Sequence, residues 1–221
     1  MNQQHNTHIR CVAVLGAGVM GAQIAAQLVN ANVATILFDI PAKEGNKNSQ
    51  VIKAIENLKK LKPSPLAIEK NADLIVPANY DEHLELLKSC DLVIEAIAER
   101  IDWKESLYQK IAPYLAEHTI LATNTSGLSI QQLAEVLPAK QRTRFLGIHF
   151  FNPPRYMHLV EMIPGSTTDK ALLPVVETFL VSTLGKGVIY AKDTPNFIAN
   201  RVGVFSLLAT IYHATQFNIP F

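Results

Sequence analysis

A cluster of glycines followed by a carboxylate is the first group of residues in this sequence that could do chemistry. Gly16, Gly18 and Gly21 fit the spacing G-x-G-x-x-G, and Asp39 comes roughly 20 residues later. The first glycine of such a motif permits a tight turn, the second lets the backbone approach a pyrophosphate, and the third lets a helix pack closely on a strand. We therefore expect a dinucleotide to bind here, with a purely structural glycine turn as the alternative.

Asp39 indicates which dinucleotide would bind. A carboxylate at this point accepts hydrogen bonds from both hydroxyls of the adenosine ribose, whereas a 2′-phosphate would meet its negative charge. The residues that follow, "IPA", include no arginine that could hold such a phosphate. NAD is therefore favoured over NADP, and a solvated aspartate at the end of a strand is the alternative.

His149, in the stretch "GIHFFNPPRYMHLVE", is the candidate for proton transfer, because imidazole changes its charge near neutral pH. Taken alone, however, a histidine that follows the apolar run "FLGI" is more often a hydrogen-bonded core residue. The residue type by itself leaves both interpretations open.

Strands and helices must position these residues, and the sequence predicts them from short apolar runs that alternate with segments of helical periodicity. A strand, a helix and a strand are predicted at 9–15, 19–31 and 33–38, which makes a βαβ unit around the glycines. Further strands are predicted at 92–97, 119–123, 144–150 and 187–191, with helices at 102–114, from Ser129 and near 170–184. This alternation predicts an α/β fold: a Rossmann-type doubly wound, mostly parallel sheet with helices on both faces.

Two segments depart from the alternation. Residues 41–80 are predicted to form a lysine-rich helix, a "KPSP" breaker and a short segment that ends in "IVPANY". After Asp193, Thr194 is the predicted N-cap and Pro195 the first position of an apolar helix of about six turns. Such a helix needs a partner, and only "NIPF" follows it, so we expect either a piece of a longer protein or a surface that dimerises.

Composition excludes several classes of partner. Lysine plus arginine (20) nearly cancels aspartate plus glutamate (19), so we expect no general attraction to nucleic acid or to an anionic membrane. The sequence contains no run of about 20 apolar residues, the length needed to cross a bilayer. The opening "MNQQHNTHIR" lacks the apolar core of a signal peptide. Cys11 and Cys90 form neither a disulfide framework nor a metal-binding spacing. We expect a cytoplasmic protein without a metal site.

Five motifs, taken together in their order and spacing, carry a family resemblance that covers almost the whole chain. They are "VLGAGVMG", "DLVIEAIAER", "NTSGLSI", "GIHFFNPPRYMHLVE" and "DTPNFIANRVGVF". The sequence resembles the 3-hydroxyacyl-CoA dehydrogenase family of fatty-acid β-oxidation. Its "PAKEGNKN" and "NFIANR" segments look most like the dehydrogenase part of a bacterial multifunctional protein that also carries an enoyl-CoA hydratase part. The implied activity is NAD-dependent oxidation of (S)-3-hydroxyacyl-CoA to 3-oxoacyl-CoA.

The resemblance implies catalytic roles for particular residues. His149 takes the proton from the 3-hydroxyl while hydride leaves for the nicotinamide, and Glu161 pairs with its imidazole. Ser126 and Asn200 hold the substrate oxygen and the reacting carbonyl. Without the resemblance, Ser126 would be ordinary turn chemistry and Asn200 a polar residue on a helix face. Glu161 would be solvated or paired with Arg155.

Cofactor contacts follow from the same resemblance. The implied contacts are Gly16, Gly18, Val19, Met20, Gly21, Asp39, Glu99, Lys104, Asn124, Ser126 and Asn152. Glu99 and Lys104 match positions near the nicotinamide ribose, whereas Asn124 and Asn152 match positions beside the nicotinamide. Gly127 stands where other members often have a second serine, a difference that would loosen the loop.

The resemblance also implies a domain division and partners. Residues 1–193 would form the NAD-binding Rossmann domain, and 194–221 the start of a helical domain that binds substrate and builds a dimer. With only its first helix present we expect slow turnover, since the missing wall excludes water and positions the substrate. Lysines 53, 59, 60 and 62 either meet the phosphates of coenzyme A or form a solvated face.

The expected partners are an acyl-CoA substrate, a second copy of the chain, and a fused or associated enoyl-CoA hydratase domain. Two other functions stay open: a related NAD-dependent dehydrogenase of a hydroxy acid without coenzyme A, and a non-catalytic NAD-binding module.

Overall fold

An eight-stranded sheet forms the centre of the computed structural model, which describes residues 8–220. The strands are β1 (Cys11–Leu15), β2 (Ala34–Asp39), β3 (Ile75–Asn79), β4 (Leu92–Glu95), β5 (Ile120–Thr123), β6 (Phe145–Phe150), β7 (Leu159–Pro164) and β8 (Gly187–Tyr190). Their order is β3-β2-β1-β4-β5-β6-β7-β8. Strands β1 to β6 are parallel, whereas β7 pairs antiparallel with β6, and β8 runs parallel to β7. The predicted Rossmann-type, mostly parallel sheet is confirmed. Most of the polar opening segment, residues 1–7, lies outside the described residues.

Helices cover both faces of the sheet. They are α1 (Val19–Asn30), α2 (Ser49–Leu58), α3 (Ile101–Ile111), α4 (Ile130–Ala134), α5 (Ala139–Arg142), α6 (Leu173–Thr178) and α7 (Ala199–Gln216). Along β1, Val12 and Val14 join the core that contains α1, while Ala13 and Leu15 join the core that contains α3. A strand buried on both faces has a continuous apolar sequence, which is why "IRCVAVL" could be recognised.

The strand order places the ends of several strands around one crevice. Strands β1 and β4 are neighbours although β2 and β3 lie between them in the sequence. In open parallel sheets, ligands bind at the carboxyl ends of the strands where the order reverses in this way. Gly16 follows β1, Asp39 ends β2 and Glu95 ends β4, so all three lie at that edge.

Strands β3 and β7 are absent from the sequence prediction. Pro77 lies in β3, where its missing N–H is tolerated because β3 is an edge strand. Strand β7 carries Glu161 in the middle of a fully buried stretch, and a charged residue there interrupts the apolar run that reveals a core strand. The antiparallel β7 has a direct consequence for the site, because it sets Glu161 opposite His149.

The predicted start of the long helix at Pro195 is wrong. Asn196 and Phe197 have φ angles of 63° and 49°, in the left-handed region, and the helix begins only at Ala199. The cap is also different: the Glu161 carboxylate, and not Thr194, accepts hydrogen bonds from the first backbone N–H groups of α7. The sequence prediction assumed a local cap, whereas the cap comes from a strand 38 residues away.

Helix α7 leaves its apolar side chains in solvent. None of its residues is buried, and Phe205 is 73% exposed. Among residues 8–220 no helix combines the length and apolarity that crossing a membrane would require. The exposed apolar surface of α7 thus agrees with the expectation that this helix needs a partner.

Cys11 and Cys90 are free thiols whose Sγ atoms lie 3.7 Å apart. The hydrogen bond with Cys90 lowers the pKa of Cys11 to about 7, whereas the same contact, with burial, raises the pKa of Cys90. We expect alkylation of Cys11 by iodoacetamide to be half-maximal near pH 7, below the value of about 8.5 of an ordinary thiol. Mass spectrometry across a pH series measures the midpoint for each cysteine.

The matched variant for this prediction is Cys90→Ala. Removal of the neighbouring thiol should raise the midpoint for Cys11 toward that of an ordinary cysteine. An unchanged midpoint would show that Cys90 does not set the pKa of Cys11. In the parent chain Cys90 should stay unmodified throughout, because it has no exposed surface.

Candidate active site

The glycine loop joins β1 to α1 and depends on two backbone features. Gly16 has a φ of 103°, which only glycine adopts readily. At Gly21 a Cβ atom would lie 1.8 Å from the carbonyl oxygen of Gly16, so helix and loop touch there. Gly18 has open space where a Cβ would be, which leaves its backbone free to approach a ligand. Val19 and Met20 form the first turn of α1 beside it.

We expect Gly21→Ala to weaken NAD binding at least tenfold and to lower the free energy of unfolding by about 1–3 kcal/mol, because the added methyl forces α1 away from the loop. Fluorescence titration with NADH and urea unfolding measure the two effects. Gly45→Ala, in a loop with open space around it, is the control for glycine replacement, although its φ of 71° adds a small local cost. A Gly21→Ala protein that binds NADH like the parent would contradict the close contact.

Asp39 lies beside the glycine loop at the end of β2. Its Oδ2 accepts a hydrogen bond from the N–H of Ala17 at 2.8 Å, and its Oδ1 accepts one from Ile40 at 2.7 Å. Asp39 and the glycine loop line a cleft of about 500 Å³, which is bounded by Gly16, Gly18, Asp39, Ile40, Tyr80, Ala96, Ile97, Ala98, Trp103, Ser106, Leu107 and Lys110. A bare loop backbone and a carboxylate that open into one cleft fit a dinucleotide. A larger depression of about 1060 Å³ lies at the amino ends of β5 and β6 and contains none of the predicted site residues.

Two aromatic residues of this cleft were missed in the sequence analysis. Trp103 is half exposed, and the Arg100 guanidinium lies 4.8 Å from its ring centre. Tyr80 stacks on Phe38 with ring centres 6.0 Å apart. Burial raises the pKa of Tyr80 well above its ordinary value, and the negative charge of Asp39 adds to the effect. Only the strand order reveals that "IVPANY" ends at this cleft.

His149 and Glu161 form a buried pair. Nδ1 of His149 lies 2.8 Å from Oε2 of Glu161, and the two side chains are 5% and 0% exposed. The other oxygen, Oε1, accepts hydrogen bonds from the N–H groups of Ile198 at 2.9 Å and Ala199 at 2.8 Å. The carboxylate therefore joins the imidazole to the start of α7. The alternative partner, Arg155, instead donates to the carbonyl oxygens of residues 64 and 66.

Aromatic rings hold the imidazole in place. Phe151 and Phe197 lie with ring centres 4.5 and 5.8 Å from that of His149. A carboxylate accepts hydrogen bonds and donates none, so Nδ1 carries the proton and Nε2 bears the lone pair. The arrangement leaves Nε2 able to accept a proton from a ligand.

Ser126 belongs to a loop after β5 that hydrogen bonds hold from two sides. Oε1 of Glu99 accepts from the hydroxyl of Thr125 at 2.5 Å and from the N–H groups of Ser126 and Gly127 at 2.8 and 3.2 Å. Nδ2 of Asn200 donates to the carbonyl oxygen of Ser126 at 3.1 Å. The structure thus brings Ser126, Asn200 and Glu99 together.

The two asparagines expected beside the nicotinamide connect elements of the site. Oδ1 of Asn124 accepts from the N–H of Phe150 at 2.8 Å and so ties the end of β5 to the end of β6. Oδ1 of Asn152 accepts from Gln23 on α1 at 3.3 Å. Asn152 therefore lies between the loop after His149 and the helix that follows the glycines.

Lys104 lies in an unexpected environment. Lys104 has no exposed surface. Its Nζ is 2.6 Å from Oε1 of Glu95 and 3.6 Å from Oε2 of Glu99. Glu95 also accepts from the hydroxyl groups of Tyr108 and Thr123, each at 2.7 Å. Burial, with the nearby charge of Glu95, raises the pKa of Tyr108 well above its ordinary value. Glu95 was not predicted as a site residue, because the sequence of a carboxylate at a strand end does not reveal such partners.

Two further expectations concern charged residues. Of the lysines considered for coenzyme A, Lys59 pairs with Glu56 at 3.0 Å and with Asp73 at 3.4 Å. Within residues 8–220 no three His, Cys, Asp or Glu side chains form a group that could hold a metal ion.

Comparison with known proteins gives a consistent result. Residues 11–194 match the model of the family described as 3-hydroxyacyl-CoA dehydrogenase, NAD binding domain. A Rickettsia felis protein that carries the name of a fatty acid oxidation complex trifunctional enzyme is 46% identical over 200 residues, which is 90% of this chain and 28% of that protein. A Deinococcus radiodurans protein named as a 3-hydroxyacyl-CoA dehydrogenase is 39% identical over 212 residues, 96% of this chain and 61% of that protein.

Among solved structures, the (S)-3-hydroxybutyryl-CoA dehydrogenase PaaH1 from Ralstonia eutropha superposes with a TM-score of 0.73 at 33% identity, and covers 88% of this chain and 68% of that one. The chain spans 28% of the length of the Rickettsia felis relative and 61% of the length of the Deinococcus radiodurans relative. Because the family model covers most of the chain, the protein belongs to the 3-hydroxyacyl-CoA dehydrogenase family, and residues 11–194 are its NAD-binding domain.

Proposed function

We propose that this chain carries the site for NAD-dependent oxidation of (S)-3-hydroxyacyl-CoA to 3-oxoacyl-CoA in fatty-acid β-oxidation. The observation that carries the proposal is the buried His149–Glu161 pair. It lies at the carboxyl edge of the same sheet that presents the glycine loop. The relatives' names point to the same chemistry, as 3-hydroxyacyl-CoA dehydrogenases and as a fatty acid oxidation enzyme.

His149 acts as the base in this proposal. Its Nε2 accepts the proton of the 3-hydroxyl, while Nδ1 keeps its hydrogen bond to Glu161, which stabilises the imidazolium that forms. The hydrogen on C3 leaves as hydride, so the alcohol becomes a ketone. Bound NAD supplies the acceptor for that hydride. Ser126 and Asn200 are neutral donors suited to the substrate oxygen, whose charge rises during the transfer.

NAD would be held mainly by the glycine loop and Asp39. Gly16, Gly18 and Gly21 leave the start of α1 open to the pyrophosphate, and Val19 and Met20 follow in the first helical turn. Asp39 would accept from the ribose hydroxyls, because its carboxylate lies in the wall of the same cleft. Glu99, Lys104, Asn124 and Asn152 are proposed to surround the nicotinamide half, either directly or through the loop of Ser126.

The division of the chain and its partners are part of the proposal. We propose that residues 1–193 form the NAD-binding domain and that 194–221 begin a helical domain for substrate binding and dimerisation, because α7 exposes its apolar side chains. An acyl-CoA substrate, a second copy of the chain and an enoyl-CoA hydratase part are the proposed partners. The trifunctional name of the Rickettsia felis relative supports the last of these. The cytoplasmic location expected from the sequence stays a prediction.

The function is tested by NADH oxidation with acetoacetyl-CoA, in parallel with free acetoacetate and with NADPH in place of NADH. We expect turnover only with acetoacetyl-CoA and NADH, because Asp39 disfavours the extra phosphate of NADPH. Equal rates with free acetoacetate would instead favour a dehydrogenase of acids without coenzyme A. Tight NADH binding with no turnover of either substrate would favour a non-catalytic module.

A further inference from the structure

Glu95 is a buried carboxylate that the proposed reaction does not use directly. It has no exposed surface, and its two oxygens are fully engaged. Oε1 accepts from the N–H of Ile97 at 2.7 Å and from Nζ of Lys104 at 2.6 Å. Oε2 accepts from the hydroxyl groups of Tyr108 and Thr123. A buried charge with so complete a set of donors holds its neighbours in one arrangement.

Two routes lead from Glu95 to the loop that carries Ser126. On the first, Lys104 lies between Glu95 and Glu99, and Glu99 accepts from Thr125, Ser126 and Gly127. On the second, the hydroxyl of Thr123 donates to Glu95 and accepts from the N–H of Thr125 at 3.2 Å.

Glu99 is central to the loop, because its Oε1 accepts from the Thr125 hydroxyl, which itself accepts from the N–H groups of Gly127 and Leu128. Outside these routes, Asn200 donates one hydrogen bond to the carbonyl oxygen of Ser126, and Asn196 lies against Gly127. Lys104 is the only cation in contact with Glu99 within residues 8–220. Loss of the Glu95 charge would therefore free Lys104 to move and would loosen both routes at once.

We propose that Glu95 is a positioning residue: through Lys104–Glu99 and through Thr123 it fixes residues 125–127, and with them the hydroxyl of Ser126 against the substrate. The proposal rests on the function proposed above. It assigns to Glu95 no contact with substrate or cofactor.

The first test is hydrogen exchange, which does not depend on activity. In Glu95→Gln we expect the amides of Ser126 and Gly127 to exchange at least tenfold faster, with the amides of β1 unchanged. Tyr108→Phe is the matched control, because it removes one donor to Glu95 but leaves both routes intact. Equal acceleration in the two variants, or none in Glu95→Gln, would overturn the proposal.

The second test is a double-mutant cycle in kcat with acetoacetyl-CoA. If Glu95 acts through Ser126, Glu95→Gln should lower kcat about tenfold in the parent and less than about twofold in a Ser126→Ala background. A purely structural role would lower kcat by the same factor in both backgrounds.

Two outcomes would limit these tests: a Glu95→Gln variant that does not fold, and a parent chain without turnover. Should Glu95→Gln fail to fold because Lys104 is left buried without its partner, the pair Glu95→Gln with Lys104→Gln removes both charges and is held to the same expectations. Should the parent chain show no turnover, the proposed function fails, and amide exchange alone then decides whether Glu95 positions the loop.

Discussion

His149→Ala should lower kcat for acetoacetyl-CoA reduction by on the order of 10³, while the affinity for NADH stays within about twofold of the parent. Positioned acid–base groups contribute ~10²–10⁴ in rate, and here the imidazole is also held in one orientation by Glu161 and two phenylalanine rings. NADH affinity is spared because the glycine loop and Asp39 lie on other strands. Steady-state kinetics and a fluorescence titration measure the two quantities.

The control for this variant is His118→Ala. His118 is half exposed. It lines the depression at the amino ends of β5 and β6, which contains none of the predicted site residues. Its variant should match the parent in both measurements. If His149→Ala retains more than about a tenth of the parent's kcat, His149 is not the base.

Glu161→Gln should lower kcat by on the order of 10²–10³, because an amide cannot serve both partners of the carboxylate. If the amide oxygen accepts from Nδ1 of His149, the amide N–H₂ faces the N–H groups of Ile198 and Ala199. If the oxygen faces those groups, the N–H₂ donates to Nδ1, the ring proton moves to Nε2, and His149 can no longer accept a proton there. Either orientation gives up one interaction.

The measurement for Glu161→Gln combines kcat with the thermal midpoint of unfolding. Glu161→Asp is the comparison variant: it keeps the charge but shortens the reach, so we expect a smaller loss of kcat than in Glu161→Gln. The proposed role of the charge would be contradicted by a Glu161→Gln enzyme that is as active as Glu161→Asp.

The NAD-binding part of the site could be predicted from the sequence because the residues that determine it are close together. The glycine spacing, the preceding apolar strand and Asp39 lie within about 30 residues, and the physical reason for each can be read from the sequence alone. The mostly parallel sheet also follows from alternating runs. NAD as cofactor needed nothing more than these features and the family resemblance.

The catalytic part of the site, around His149, depends on contacts between segments that are distant in the sequence. Glu161 meets His149 because β7 turns back along β6, and the apolar pattern gave no sign of β7. Phe197 reaches the imidazole only because the chain adopts a left-handed conformation before α7. Glu95 joins Lys104 and Thr123 across three elements. Residue types alone could not reveal these partnerships, and His149 was singled out as a base only through the resemblance.

The two oxygens of Glu161 have a further consequence. One oxygen binds the imidazole of His149 and the other binds the first turn of α7, so the carboxylate connects the proposed proton acceptor to the helix. A displacement of α7 would pull on the same carboxylate that sets the orientation of the imidazole. The orientation of the imidazole and the position of the helix are therefore coupled through a single side chain.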